Sequence, residues 1–281
     1  MTKNNLSALL SLLKDPDEAT FDDIVDSLKL DAEIIPELEK LWQNADNELA
    51  ISRLDWLIGR ARLNELAKKL IEWQAKEGTI LEGAWLVATY QYPELTLDEI
   101  EEAIGSIAKD VWLELRNDMN IQQQVETLNS ILFEKYGMQS DRQCRASINN
   151  MLLNNVLSNR LANHLGMFIL YLSVAEKLDF PLTPVMLFRM LRVAYTPNRD
   201  GGIAFYIEPF EKGLLFDHAT ARLTITRQGV PFDRKYIQLC SNDFLIRGYL
   251  IEMMMLYQEK GMDSKVADID ELLIRLRDTE K

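Results

Sequence analysis

Residues 146–195, ASINNMLLNNVLSNRLANHLGMFILYLSVAEKLDFPLTPVMLFRMLRVAY, contain the change of pattern that decides the fold. From 146 to 179 the segment is strongly apolar with helical spacing, and Pro181 and Pro184 end it. Beyond the prolines, 185–187 and 192–195 are short apolar runs of the kind found in strands. The sequence therefore predicts helical structure over 146–179, followed by the first strands of a sheet.

The pattern continues toward the C-terminus with two more predicted strands, at 203–207 and 223–226. A turn, Asn-Arg-Asp-Gly-Gly at 198–202, precedes the first of them. Two helices near 240–260 and 264–278 close the chain, with Gly261 between them. Helices, a small sheet and helices again indicate an α+β fold that is predominantly α.

Toward the N-terminus the pattern is helical throughout. Residues 4–14 have helical spacing, and Thr20 is the expected cap of a second helix. A third helix follows with Pro36 near its start, where proline is tolerated, and 46–75 is a long periodic stretch. Four further features are predicted: a capping box at Thr79 and Glu82, a second at Thr96 and Glu99, helices over 79–91, 96–116 and 120–136, and a C-cap at Gly137.

The first part of the chain resembles a HEAT-type helical repeat. The resemblance rests on Leu-Leu-Lys-Asp-Pro-Asp at 12–17, a short helix, and Ile-Ile-Pro-Glu-Leu at 34–38. Solenoid repeats need neighbours to bury their apolar faces. We therefore expect residues 1–76 to form a helical HEAT-like extension on a second domain that covers 77–281.

Composition excludes several classes of function. The net charge of −13 opposes binding to nucleic acid, which needs a basic surface, and opposes binding to an anionic membrane. No apolar run is long enough to span a bilayer or to act as a signal peptide, so we expect a cytoplasmic protein. Two cysteines, Cys144 and Cys240, and two histidines indicate neither a disulfide framework nor a closed zinc site, and we expect no cofactor.

Residues 79–210 resemble the SirB-type transglutaminase-like family, which points to a bacterial-type protein. The strongest stretch is 150–210, which has the family's Asn-x-x-Leu-Asn-x-Val-Leu pattern, a long helix, a Pro-Leu step and an acidic-Pro-Phe element. Supporting motifs are Gly-Ala-Trp-Leu-Val-Ala at 83–88 and Tyr-Pro-Glu-Leu at 92–95. The resemblance implies a papain-like domain of helices with a small antiparallel sheet, ending here in a short helical tail.

Active members of such a fold use a cysteine at the start of the long helix, a histidine and an acid. The thiolate attacks an amide carbonyl, the histidine handles the proton and the acid orients the imidazole. Carried over without gaps, the resemblance places His164 in the cysteine position, Met190 in the histidine position and Glu208 in the acid position. It thus implies a pseudoenzyme that lacks the thiol relay.

Several functional interpretations remain open at this point. The leading one is a non-catalytic, possibly regulatory protein that binds a protein or peptide partner. A second is a cysteine-dependent amidase, protease or transglutaminase with a relocated nucleophile at Cys144, assisted by His164 and Glu208, since helix starts and nearby arginines favour a thiolate. A third is a helical scaffold in an assembly, and the asparagine-rich segment 149–163 either lines a polar cleft or caps turns.

Overall fold

The computed structural model describes residues 3–143, 147–197 and 202–278, with side chains from Ala8 onward. It confirms the predicted fold class, because a helical N-terminal part is followed by helices and a small antiparallel sheet. Contacts divide the described chain into two compact units. Unit 1 contains the residues up to Glu72 and those from Ile274 onward, and unit 2 is Trp73–Leu273.

Unit 1 is built from amphipathic helices around their own apolar core. Its helices are α1 (Lys3–Leu13), α2 (Glu18–Ser27), α3 (Ile35–Gln43) and most of α4 (Glu48–Ala75). Leu13, Leu38, Leu54 and Leu57 are fully buried in this core. Asp17 caps α2 through the Ala19 N–H, so the expected cap at Thr20 is wrong; Thr20 lies inside the helix and donates to Asp17 instead. The likeness to a HEAT repeat stays a prediction.

The helices of unit 2 are α5 (Ile80–Gln91), α6 (Leu97–Glu114), α7 (Ile121–Asn129) with a π-helical turn at Ser130–Lys135, α8 (Leu153–Asn159), α9 (His164–Lys177), α10 (His218–Thr226), α11 (Asn242–Glu259) and α12 (Asp263–Asp278), which runs on into unit 1. All except α8, α9 and α10 begin and end close to the predicted positions. Thr96 and Glu99 form the complete predicted capping box. At Thr79 the structure shows one half of the predicted box, in which Thr79 accepts the Glu82 N–H, and Gly137 ends its helix at a φ of +67°.

The prediction of helix over 146–179 is wrong in one respect, because the segment is broken. Arg160 ends α8 in the left-handed region, at a φ of +57°, and Asn163 starts α9 by accepting the Gly166 N–H at 2.8 Å. A side chain at Gly166 would lie 2.8 Å from the carbonyl oxygen of Met151, so α9 packs directly against the preceding turn. Apolar composition alone does not reveal this break.

Helix α9 is the centre of unit 2. All residues of 165–175 are buried, which is the pattern of a helix enclosed on every side. Its neighbours include α5, α6 and α8, the strand β3 and the turn after β5. Its first residue, His164, lies at the edge of this packing and is only partly covered.

The main sheet is antiparallel with the strand order β6-β5-β4-β3-β7. Its strands are β3 (Leu182–Leu187), β4 (Met190–Tyr195), β5 (Phe205–Glu208), β6 (Leu214–Phe216) and β7 (Ile237–Leu239), while β1 (Gln139–Ser140) and β2 (Leu161–Ala162) form a separate parallel pair.

The strands predicted at 185–187, 192–195 and 203–207 are confirmed, although the last of them begins at Phe205. The strand predicted at 223–226 is wrong, because these residues end α10. Asp217 caps that helix, and Ala221 and Ile225 bury its inner face at helical spacing. A short β-branched run does not distinguish strand from helix. Of the turn predicted at 198–202, all but Gly202 lies outside the described residues.

Candidate ligand-binding cleft

His164 stands at the mouth of a cleft in unit 2 because it begins α9. The preceding residue, Asn163, caps the helix and also donates from its side-chain amide to Glu252 of α11. The imidazole of His164 stacks on Phe168 at 4.8 Å and lies 5.3 Å from the ring of Phe210. These contacts fix the ring, although 44% of the side chain stays exposed.

Glu208 approaches His164 from the sheet. It ends β5, which pairs with β4 so that Val193 opposes Ile207 and Arg192 therefore faces Glu208. An Arg192 guanidinium nitrogen lies 2.7 Å from one Glu208 carboxylate oxygen, and the His164 Nε2 lies 3.7 Å from the other. The Phe210 N–H also donates to Glu208 at 3.3 Å. With 8% of its side chain exposed, Glu208 is the most enclosed charge of this cluster.

The structure brings His164 and Glu208 together, as the resemblance implies, but the residue that pairs with Glu208 from β4 is Arg192 rather than Met190. Met190 lies two residues earlier on β4, and its sulfur is 3.7 Å from a guanidinium nitrogen of Arg192. Sequence reasoning missed Arg192 although its signal was present, a charged residue within an apolar strand. Choosing it requires the β4–β5 register, which the sequence does not contain.

Burial governs the protonation of this cluster. Desolvation, helped by the nearby positive charge of Arg192, lowers the pKa of His164 to about 4, so its imidazole is neutral at pH 7. Desolvation also raises the pKa of Glu208 and lowers that of Arg192, against the opposing effect of their pairing. The ion pair is thus held in surroundings that solvate both charges poorly.

The cleft has two arms that meet at His164, Gly248 and Glu252. The first arm encloses about 610 Å³ and is lined by residues of α11 and by Asp141, Asn163, His164 and Phe210. The second arm encloses about 460 Å³ and is lined by residues of β3, β4 and the hairpin between them, with Leu165 and residues of α11. Both volumes lie in the range of small-ligand and side-chain pockets, on the order of 300–1,000 Å³.

Asparagines of the segment 149–163 organise one wall of the first arm. Asn150 donates to the Asp141 carboxylate at 2.7 Å, and its carbonyl accepts the Asn163 N–H. Asn163 then caps α9 and reaches Glu252. In this segment, therefore, Asn163 both lines the cleft and caps a helix, so a single residue takes both of the expected roles.

Of the two candidate cysteines only Cys240 is among the described residues, and it lines neither arm. Cys144 falls outside the described residues, although Asp141, three residues earlier, lines the first arm. Cys240 follows β7, and burial raises the pKa of its thiol, which disfavours the reactive thiolate. Among the described residues that line either arm, none is Cys, Ser or Thr.

The described residues contain no group of three His, Cys, Asp or Glu side chains arranged to hold a metal ion. Within the same residues, every helix is too short or too polar to cross a membrane.

Comparisons with known proteins connect this geometry to a family. The chain is 27% identical over 205 residues to F-box only protein 21 of Pongo abelii and 26% identical over the same length to that of Homo sapiens. Each alignment covers 60% of this chain and 32% of the relative, so the chain spans about a third of the length of these curated relatives.

No solved structure matches the chain. A family model described as the transglutaminase-like superfamily matches residues 98–249, which is more than half of the 281 residues and includes α9, the sheet and most of the cleft lining. The chain therefore belongs to the transglutaminase-like superfamily.

Proposed function

We propose that this chain is a SirB-type transglutaminase-like protein that binds a protein or peptide segment in the His164 cleft without catalysing amide chemistry. The observation that carries the proposal is the Arg192–Glu208 ion pair beside His164 at the start of α9. In active members of such a fold, the resemblance implies a thiol and its proton relay at the start of this helix.

The three groups cannot carry out the thiol mechanism. A thiol enzyme needs a nucleophile, a group that accepts its proton and an acid that orients the acceptor. Here an imidazole occupies the nucleophile position. The group beside Glu208 is a guanidinium, which stays protonated in proteins and cannot accept a proton. Glu208 is engaged by Arg192 rather than by a histidine that it could orient.

The cleft nevertheless has the features of a binding site. Apolar side chains of α11, including Ile251 and Met255, remain 43% and 55% exposed along it. Carboxylates, a neutral imidazole and a guanidinium lie among these apolar groups. A cleft that joins exposed apolar side chains to a few converging polar groups suits a peptide segment, whose backbone and side chains need both.

A relocated thiol enzyme is the second candidate, and one observation favours it. Asp141 lines the same arm as His164 and lies three residues before Cys144. In this alternative the Cys144 thiol is the nucleophile. The neutral imidazole of His164 accepts its proton, and Glu208 stabilises the resulting imidazolium.

The experiment combines turnover with peptide binding on the purified full chain. Amide hydrolysis, peptide cleavage and amine incorporation into a glutamine peptide are assayed, and we expect none. Peptides selected from a random display library are then measured by fluorescence polarisation. Gly248 lines both arms, and a Cβ added there would meet no atom within 4 Å, so Gly248→Phe fills the cleft without a clash at its base.

We expect Gly248→Phe to weaken peptide binding by at least about tenfold, the loss that corresponds to one or two good apolar contacts. Gly105→Phe is the matched control, because Gly105 is also a helical glycine with free space beside it, in α6 away from the cleft lining. Turnover that Cys144→Ala abolishes would overturn the proposal in favour of the relocated enzyme. Binding that is indifferent to Gly248→Phe would overturn the choice of cleft.

A further inference from the structure

One face of α11 gives the first arm of the cleft an unusual composition. The residues Gly248, Ile251, Glu252, Met255 and Glu259 follow one another at helical spacing and therefore share this face. Two of the five are acidic and two are apolar. Helix faces that pack against a protein core seldom carry ionised carboxylates, whereas this face is open to the cleft.

The described lining of this arm carries negative charge and no cationic side chain. Asp141, Glu252 and Glu259 line it, and no lysine or arginine does so among the described residues. The amides of Asn150 and Asn163 donate to Asp141 and Glu252, but these donors are neutral. His164, the only other titratable group of the described lining, is uncharged at pH 7 because burial lowers its pKa.

Glu252 and Glu259 have different surroundings, but each carboxylate is able to accept a cationic partner. Burial raises the pKa of Glu252, which shows that its ionised form is poorly solvated and that a cation would stabilise it. Glu259 is exposed, and the described residues provide its carboxylate with neither an ion pair nor a hydrogen bond. Both carboxylates can therefore accept a new cationic partner.

The second arm adds positive charge to the cleft. Arg189 and Arg192 line it, together with the shared Glu252, beside the exposed ring of Phe244. The Arg189 guanidinium lies over the ring of Phe188 at 5.4 Å and has no carboxylate partner among the described residues. A ligand that extends through both arms would thus contact carboxylates in the first arm and guanidinium groups in the second.

We propose that the first arm binds a lysine or arginine side chain of a partner peptide, with apolar neighbours of that residue packed on Ile251 and Met255. This inference rests on the proposed function and specifies its ligand. The net charge of −13 supports it, because a protein of this charge attracts cationic partners at a distance. Methionine at the contact adapts to apolar side chains of different shapes.

The probe is a set of octapeptide libraries presented to the immobilised full chain. One central position is fixed as lysine, arginine, norleucine or glutamate, and the other positions are degenerate. We expect the lysine and arginine libraries to bind about fivefold more strongly than the norleucine library, the effect of one or two ion pairs at a partly exposed site. Equal binding of the norleucine library, or stronger binding of the glutamate library, overturns the inference.

Charge reversal at the cleft provides the matched test. Glu259→Lys should reduce the signal of the lysine library about fivefold. Glu102→Lys is the control, because it changes the net charge equally at an exposed position of α6 and should leave the signal unchanged. A similar loss in both variants would show that only long-range attraction acts, and the inference of a site in this arm would fail.

Failure of this inference can be told apart from failure of the proposed function. If Gly248→Phe abolishes binding of every library and no cationic preference exists, the cleft binds peptides and the cationic specificity is wrong. If Gly248→Phe leaves every signal unchanged, peptide binding in this cleft is wrong as well, and both proposals fail.

Discussion

The two ends of α9 each place a poorly solvated carboxylate beside the central helix, with different results. At the C-terminal end, Glu176 accepts the Ile80 N–H at 3.0 and 3.2 Å and the side-chain amide of Asn242 at 3.2 Å. At the N-terminal end, Glu208 pairs with Arg192 and lies 3.7 Å from His164. Burial raises the pKa of both carboxyl groups.

The comparison teaches that a shifted pKa does not by itself mark a functional site. Glu176 satisfies the first turn of α5, where a carboxylate is favourable, and it joins α9 to α5 and α11. Its role is accounted for by this architecture. The cluster around Glu208 adds a half-exposed imidazole and an open two-armed cleft, so its groups can also meet a ligand.

The largest expected effect is on stability at the N-terminal end of α9. Glu208→Leu leaves the Arg192 guanidinium without its carboxylate in a site where 15% of its side chain is exposed. We expect the free energy of unfolding to fall by about 3 kcal/mol, the usual cost of breaking a buried ion pair from one side. Urea denaturation followed by circular dichroism measures this loss.

The double variant Glu208→Leu with Arg192→Met is the control for this prediction. Removing both charges should bring the free energy of unfolding back to within about 1 kcal/mol of the parent protein. If the double variant is as unstable as the single one, the loss comes from packing around β5 rather than from the unpaired guanidinium.

A smaller loss is expected at the C-terminal end of α9. Glu176→Ala removes the acceptor of the Ile80 N–H and of the Asn242 amide, and we expect the free energy of unfolding to fall by about 2 kcal/mol. Glu176→Gln retains one acceptor oxygen and should lose about half as much. Neither variant should change peptide binding at matched folded fraction. A change as large as that from Gly248→Phe would remove the functional distinction between the two ends.

The sequence predicts the helices and their caps better than it predicts the contacts at the N-terminal end of α9. The helices and their caps at Thr79 and Thr96 follow local rules, and they were predicted to within a few residues. His164 and Glu208 were found through the family resemblance. Arg192 was not, because its partner is set by the register of β4 on β5, a contact between residues distant in sequence.

The remaining errors have the same physical origin. The break between α8 and α9 depends on the left-handed Arg160 and on the close approach of Gly166 to the Met151 carbonyl. The strand predicted at 223–226 is a helix because Asp217 caps it and the sheet covers its inner face. In each case a local feature, the Asp217 cap or the left-handed Arg160, acts together with a tertiary contact that the sequence pattern does not show.

The smallest expected effect is a pH dependence that belongs to His164. Its pKa is about 4 in the folded protein against an ordinary value near 6.5. Between these pH values the unfolded chain binds a proton that the folded chain does not, so this contribution to stability is lost as the pH falls from about 6.5 to 4. We expect a loss of about 1 kcal/mol, reduced by solvent screening because 44% of the side chain is exposed.

The measurement compares stability curves of the parent protein and His164→Gln across this pH range. The difference between the curves isolates the imidazole from the raised pKa values of Glu208 and Glu252, which act in the opposite direction. Nuclear magnetic resonance adds a direct reading, because the chain has two histidines and His164→Gln removes one signal. A titration midpoint near 6.5 for that signal would mean that the imidazole is well solvated and charged at mildly acidic pH. His164 would then behave as an ordinary surface histidine. Its imidazolium would place a positive charge in the acidic arm at mildly acidic pH.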